Sequence, residues 1–239
     1  MPGVLKGQRT KAIESSRALR YFFYAVGEVL LIFVGITLAV ALENSAEQRR
    51  EAEVAEGLLT GLRESLRSNV AEFERSNADD RQFLAAIDVV LGHFASADGW
   101  HDSISAPLDS AFYWALPNLS TAGYRSLEQA GFGLVPDPVL VSAIVDLFDV
   151  THGNLLQYER VLWTFMEAVH LPYRTREVVS VQGHSRPRDY RLMRERGELR
   201  TILLEHQRSL RLAIEYRTAA TEETETVLGL ISDYLAQDP

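Results

Sequence analysis

The run YFFYAVGEVLLIFVGITLAVAL, Tyr21 to Leu42, constrains this chain more than any other feature, because it is almost wholly apolar and holds a single carboxylate, Glu28. As a helix rising ~1.5 Å per residue it is about 33 Å long, against a bilayer hydrocarbon core of about 30 Å. A soluble core helix is seldom apolar on every face. The run is therefore expected to be a transmembrane helix.

The flanks predict its orientation. Residues 1–20 hold Lys6, Arg9, Lys11, Arg17 and Arg20 against Glu14, five basic groups to one acidic, whereas Glu43, Asn44, Ser45, Ala46 and Glu47 begin a stretch of mixed sign. Basic flanks stay on the cytoplasmic side. The expected plan is a basic cytoplasmic tail over 1–20, a transmembrane helix over 21–42 and a periplasmic α-helical domain over 43–239, in the inner membrane of a bacterium with two membranes. A cleaved signal peptide is the rival reading, supported by the basic start and by Ala39-Val40-Ala41 as a small-residue cleavage match. The run is longer than an ordinary signal core, Glu28 interrupts it, and amphipathic sequence follows without a linker. An uncleaved anchor is the expectation.

Charge narrows the partners. The chain carries 24 basic and 33 acidic residues, a net of −9. Setting aside the tail and Glu28 leaves 19 basic and 31 acidic residues, −12 for the outer part. That balance lacks the basic footprint of a nucleic-acid binder and is repelled by anionic lipid headgroups. The expected partners are the lipid bilayer and other transmembrane subunits or a second copy of the chain, with no nucleic acid. There is no cysteine, which excludes disulfides, thiol catalysis and thiolate metal sites and fits an oxidising compartment.

Beyond the run, apolar residues recur at helical spacing. Val54, Leu58, Leu62, Leu66, Val70 and Phe73 predict one helix over 46–75. Ser76-Asn77-Ala78-Asp79 reads as a break with a fresh N-cap. Phe83, Leu84, Ile87, Val90, Leu91 and Phe94 then mark a helix to about Ala95. A loop is expected over 96–107, a short helix from Leu108 to Leu116, another from Ser120 to Gly131, and a long helical stretch from Pro138 to His170, kinked near His152-Gly153-Asn154. Residues 172–187 read as irregular. The last helix begins between Asp189 and Glu198, runs to Leu235, and carries a heptad-like seam of Leu199, Leu203, His206, Leu210 and Ala213, continued by Val227, Leu228, Ile231 and Leu235. The fold expected is all-α: one N-terminal transmembrane helix leading into a periplasmic helical bundle, with the first and last long helices antiparallel.

The membrane segment carries a family likeness. Tyr24-Ala25-Val26-Gly27-Glu28, followed by Gly35-Ile36, Ala39 and Asn44, resembles the DUF6090 family of bacterial proteins, ungapped from Tyr24 to Asn44. A looser likeness covers Thr121 to Leu140, where Leu127, Gly131 and Leu140 fit the family's pattern while Gly133 and Pro136 stand in place of apolar residues. The resemblance implies a single-pass membrane protein of uncharacterised function. It supplies no active site.

Glu28 lies seven residues in from Tyr21, about 10 Å along the axis, and an ionised carboxylate at that depth is costly. Three readings stay open: it is protonated and hydrogen-bonded, it reaches the headgroups through a thinned bilayer, or it faces another protein helix. Small residues favour the third. Positions 28, 35 and 39 share one helical face, Gly35 and Ala39 form a small-xxx-small pair, and Gly27 lies near the edge of that face. Gly27, Glu28, Gly35 and Ala39 are the candidate interface. An ion path needs several polar groups, and the segment offers only Glu28 and Thr37.

The outer part shows no chemistry-bearing motif. Its six histidines form no HExxH, and His101-Asp102-Ser103 reads as a polar loop, since neighbours in sequence do not adopt triad geometry. His206 reads as a satisfied seam histidine, Glu222, Glu223 and Glu225 as a solvated face, and Trp163 as core. Trp100, in a loop, is the candidate exposed partner contact. The expectation is a non-enzymatic accessory or scaffolding subunit of a larger inner-membrane complex, with no cofactor and no metal. The alternative is a periplasmic ligand-binding sensor acting on another membrane protein.

Overall fold

A computed structural model gives the fold; it describes residues 7–96, 98–181 and 183–237, and of residues 7–21 and 23 the backbone only. Residues 1–6 of the basic tail lie outside the described residues. The described residues are about 85% helical with almost no strand. Helix α1, Gly7–Ala95, contributes to two compact units that divide between Val54 and Ala55. Unit 1 is the helix through the apolar run, and every side chain described from Phe22 to Val54 is exposed. It is long and apolar enough to cross a membrane.

Unit 2 is built on three long helical pieces. The first is α1 from Ala55 onward, whose buried residues Ala55, Leu59, Leu62, Leu66, Asn69, Phe73, Ser76 and Asp80 alternate steps of four and three, followed by Ile87 and Val90. Leu62, Leu66 and Phe73 of the expected stripe are buried, but Ala55, Leu59 and Asn69 take the places of Val54, Leu58 and Val70, and Val54 is 51% exposed. The expected break at Ser76-Asn77-Ala78-Asp79 does not occur; α1 runs through it. Polar residues there read as a cap, but Ser76 and Asn77 are buried, and so is Asp80 just beyond them, whose tertiary partners override the local preference.

Those partners belong to a non-helical stretch, residues 111–121, that follows α2 (Ser105–Ser110) and precedes α3 (Ala122–Ala130). Buried backbone without its own ladder needs side-chain partners, and α1 supplies them. Asp80 accepts from the Ala115 N–H at 2.8 Å, Glu72 from the Asn118 N–H at 2.9 Å, and Asn69 pairs with both backbone groups of Ser120 at 2.7 and 3.0 Å. Ser65 accepts from the Gly123 N–H at 3.3 Å. Here the backbones nearly touch, because a Cβ on Gly123 would lie 2.5 Å from Leu62 Cα. Gly123→Ala is expected to lower the stability of unit 2 by about 1–3 kcal/mol, as overpacking does. Denaturant titration reads this, and a neutral result would mean that α3 does not sit on α1.

The second piece is a helical rod over Pro138–Glu177. It starts where Asp137 caps the N–H groups of Val139 and Leu140 at 2.9 and 3.2 Å, with Pro138 in the first turn. It comprises α4 (Pro138–Asp146), a π segment (Leu147–His152), α5 (Gly153–Phe165), a second π segment (Met166–His170) and α6 (Leu171–Glu177). The kink expected at His152-Gly153-Asn154 appears as the first π segment instead. The rod is also apolar enough to cross a membrane, and a third of its most apolar window is buried inside the protein.

Of residues 172–187, expected to be irregular, those to Glu177 belong to α6, and β1 (Val178–Val181) then pairs antiparallel with β2 (His184–Pro187). Helix α7, Tyr190–Arg196, is capped by Asp189 on the Leu192 N–H at 2.9 Å. Gly197, at φ 66°, separates it from the third piece, α8 (Glu198–Ala236).

The α8 seam is a regular alternation of four and three: Leu199, Leu203, His206, Leu210, Ala213, Arg217, Ala220, Thr224, Val227 and Ile231, all buried. It packs antiparallel to α1, since Arg217 meets Asp80 and Gln207 donates to Asp88. It also packs antiparallel to the rod in one register. Stepping from His152 to His170 along the rod steps back from Thr224 to His206 along α8, and Glu159 with Arg217 falls between them on the same count. The two π segments keep that register. The buried rod residues step four and four through Ile144, Phe148 and His152, and again through Leu162, Met166 and His170, where an unbroken α-helix would drift off the face.

Candidate functional site

Two places carry polar groups where polarity is costly. The first is the apolar stretch of unit 1. Gly27, Glu28, Gly35 and Ala39 are all exposed, and a Cβ built on Gly27 or Gly35 meets nothing within 4 Å. Around them Leu31 is 73% and Phe33 70% exposed. Among the described residues of unit 1, none covers the candidate face.

The second is the interior of unit 2. Arg217, from the α8 seam, donates through Nε to Glu159 Oε1 at 2.8 Å and through Nη2 to the Ala115 carbonyl at 3.0 Å, and its Nη1 pairs with Asp80. The Arg217 and Asp80 side chains are fully buried and Glu159 is 5% exposed. One guanidinium thus joins α1, the extended stretch, the rod and α8. Burial pushes the Asp80 and Glu159 carboxyls above the usual range, opposed by the adjacent Arg217 charge and, for Asp80, by the Ala115 N–H. The second oxygen of Glu159 is buried without a partner.

Histidines flank this network. His152 Nε2 lies 3.3 Å from Thr224 Oγ1, and its ring packs edge-on to Phe73 and Phe148. His170 and His206 pack edge to face with ring centroids 4.4 Å apart, and His206 Nδ1 is 3.1 Å from the Ala111 carbonyl. Burial holds all three imidazoles neutral, His152 and His170 down to about 4 and His206 to about 3. Among the described residues no group of three or more His, Asp or Glu is arranged to hold a metal ion.

Other expected sites fall out differently. Trp100 is half-buried; its Nε1 donates to Asp102 at 3.2 Å and its ring leans on Tyr190 at 5.8 Å. The more exposed tryptophan is Trp163, 40% exposed at the edge of Trp114, which the sequence places in the core; it sits one step around the rod from buried Leu162. His101 and Ser103 bond each other within the loop while Asp102 turns to Arg186 at 2.7 Å, so the three do not converge. Glu222, Glu223 and Glu225 are exposed.

The Arg217 network is the feature sequence reasoning missed. The signal was present: Arg217 and Thr224 continue the four-and-three count from Ala213. No family model matches the chain, and no curated protein and no solved structure matches it. The likeness of Tyr24–Asn44 to the DUF6090 family rests on those residues alone.

Proposed function

We propose that this chain is a non-enzymatic, single-pass inner-membrane accessory subunit that stabilises or assembles a larger membrane complex. Its tail is cytoplasmic, and unit 2 is a helical bundle on the periplasmic side. The observation that carries the reading is the uncovered Glu28–Gly35–Ala39 face: lipid covers the leucines and phenylalanines well, but a carboxylate at that depth is best satisfied by another protein helix. The glycines beside it let such a helix approach closely. The surplus of basic residues before the span supports the inward tail.

The test is purification in mild detergent through a C-terminal tag, with mass analysis of the bound partners, for wild type, Glu28→Gln and Gly35→Leu. A defined membrane assembly with the wild type, reduced at least tenfold by Gly35→Leu, is the expected result. Recovery of the wild type alone, unchanged by either substitution, sinks the subunit reading.

A further inference from the structure

We propose that the rod–α8 interface is an acid-operated latch: mild acidification releases the rod over Pro138–Glu177 from α8 while α1 and α8 stay together. The inference concerns unit 2 alone and goes beyond the proposed function without depending on it.

The geometry points to it in three ways. First, each π segment of the rod ends on a buried histidine, His152 and His170. π segments break helix regularity and are frequent at functional sites; here each inserts the residue that turns an imidazole onto the α8 seam. Second, both histidines meet α8 in one register, at Thr224 and at His206. Third, the three imidazoles forced down by burial all take part in the rod–α8 contact, His152 and His170 from the rod and His206 from α8 against the His170 ring. The residues that α1 buries, from Leu59 to Val90, include no histidine.

The surroundings decide the direction. His152 faces Thr224 and Glu223 of α8, Phe73 of α1 and Phe148 of the rod; only Glu223 favours its charged form, and Glu223 also accepts from Thr151. His170 faces His206, the backbone of Ile202, and the Phe112 and Phe165 rings. His206 faces His170 and the Ala111 carbonyl. The remaining charges between these contacts, Arg217 with Asp80 and Glu159, are engaged with one another. A proton on His170 therefore repels one on His206, and neither has a carboxylate facing it among the described residues. Release lets each imidazole return to an ordinary value of about 6.5, so acid favours the released state. It also uncovers the rod's seam of Ile144, Leu155, Leu162 and Met166, an apolar face for a partner.

The experiment is hydrogen exchange on the full chain in detergent between pH 7.5 and 5, corrected for intrinsic exchange, with the wild type and single variants His170→Phe and His152→Gln. Each imidazole released steepens opening by about tenfold per pH unit below 6.5. The expected result is an opening constant for 138–177 that rises at least tenfold per unit, while 55–95 stays at least tenfold better protected than 138–177 at every pH down to 5.5. Each folded variant lowers that slope by about one power of ten, and if neither folds the wild-type slope decides alone. Loss of protection in both segments together, a flat profile for 138–177, or variants that leave the slope unchanged overturns the latch.

Discussion

Replacing Arg217 by methionine is expected to destabilise unit 2 by about 3–5 kcal/mol, the scale on which a buried charge responds to losing its partner. The reason is the count of charges: Asp80 and Glu159 share one guanidinium, so its removal strands two buried carboxylates and leaves the Ala115 carbonyl without its donor. The loss is expected to shrink as pH falls. Both carboxyls already sit above the usual range through burial, and without Arg217 they rise further. The folded variant then binds protons that the unfolded chain releases, so acid favours its folded state in the carboxylate range. Adding Asp80→Asn and Glu159→Gln to Arg217→Met should recover most of the loss, because neutral groups replace the stranded charges. Denaturant titration of the three proteins at pH 7.5 checks this; a loss below about 1 kcal/mol for Arg217→Met would mean the network is not closed.

Acid sensitivity is the second large effect. His152 and His170 are held down to about 4 and His206 to about 3 by burial, against an unfolded value of about 6.5. Below 6.5 the unfolded chain binds protons that the folded one refuses, so stability is full above that value and falls as pH drops toward 4. Each imidazole contributes about 1.4 kcal/mol per unit, so the three together remove about 10 kcal/mol by pH 4, comparable to the whole stability of an ordinary domain. The raised carboxyls of Asp80 and Glu159 work in the opposite sense and offset part of the loss at the acid end. A denaturant midpoint that is level from pH 8 to 6.5 and falls steeply below is the expected profile. A level profile down to pH 5 would contradict the burial of these rings.

Much of this was legible in the sequence. The apolar run of Tyr21 to Leu42 declares itself by composition, and the start of the rod by Asp137-Pro138, a cap followed by a first-turn proline. Half of the α8 seam reads directly from Leu199 to Ala213. What escaped were polar residues doing tertiary work. Ser76 and Asn77 have the chemistry of a helix break, yet both are buried, and Asp80 beside them is interior because the Ala115 N–H and Arg217 are brought to it. Arg217 has the chemistry of a surface residue until the carboxylates of two other helices are brought to it. The π segments leave no propensity signal, since the inserted residues are recognisable only against the register of α8. The hairpin strands follow Pro172, Arg174 and Arg176 and end on Arg186-Pro187, and they alternate too briefly to stand out.

Under the proposed function the chain is anchored through residues 21–42 with unit 2 on the outer side. The absence of cysteine makes this directly measurable. A single cysteine at exposed Thr218, introduced as Thr218→Cys, can be probed in intact spheroplasts with a membrane-impermeant maleimide, alongside extraction of the membranes with alkaline carbonate. The expected result is full-length protein that stays in the carbonate-washed membrane and is labelled without lysis. Labelling that appears only after lysis, or a chain shortened at its N-terminus and released in soluble form, would contradict it.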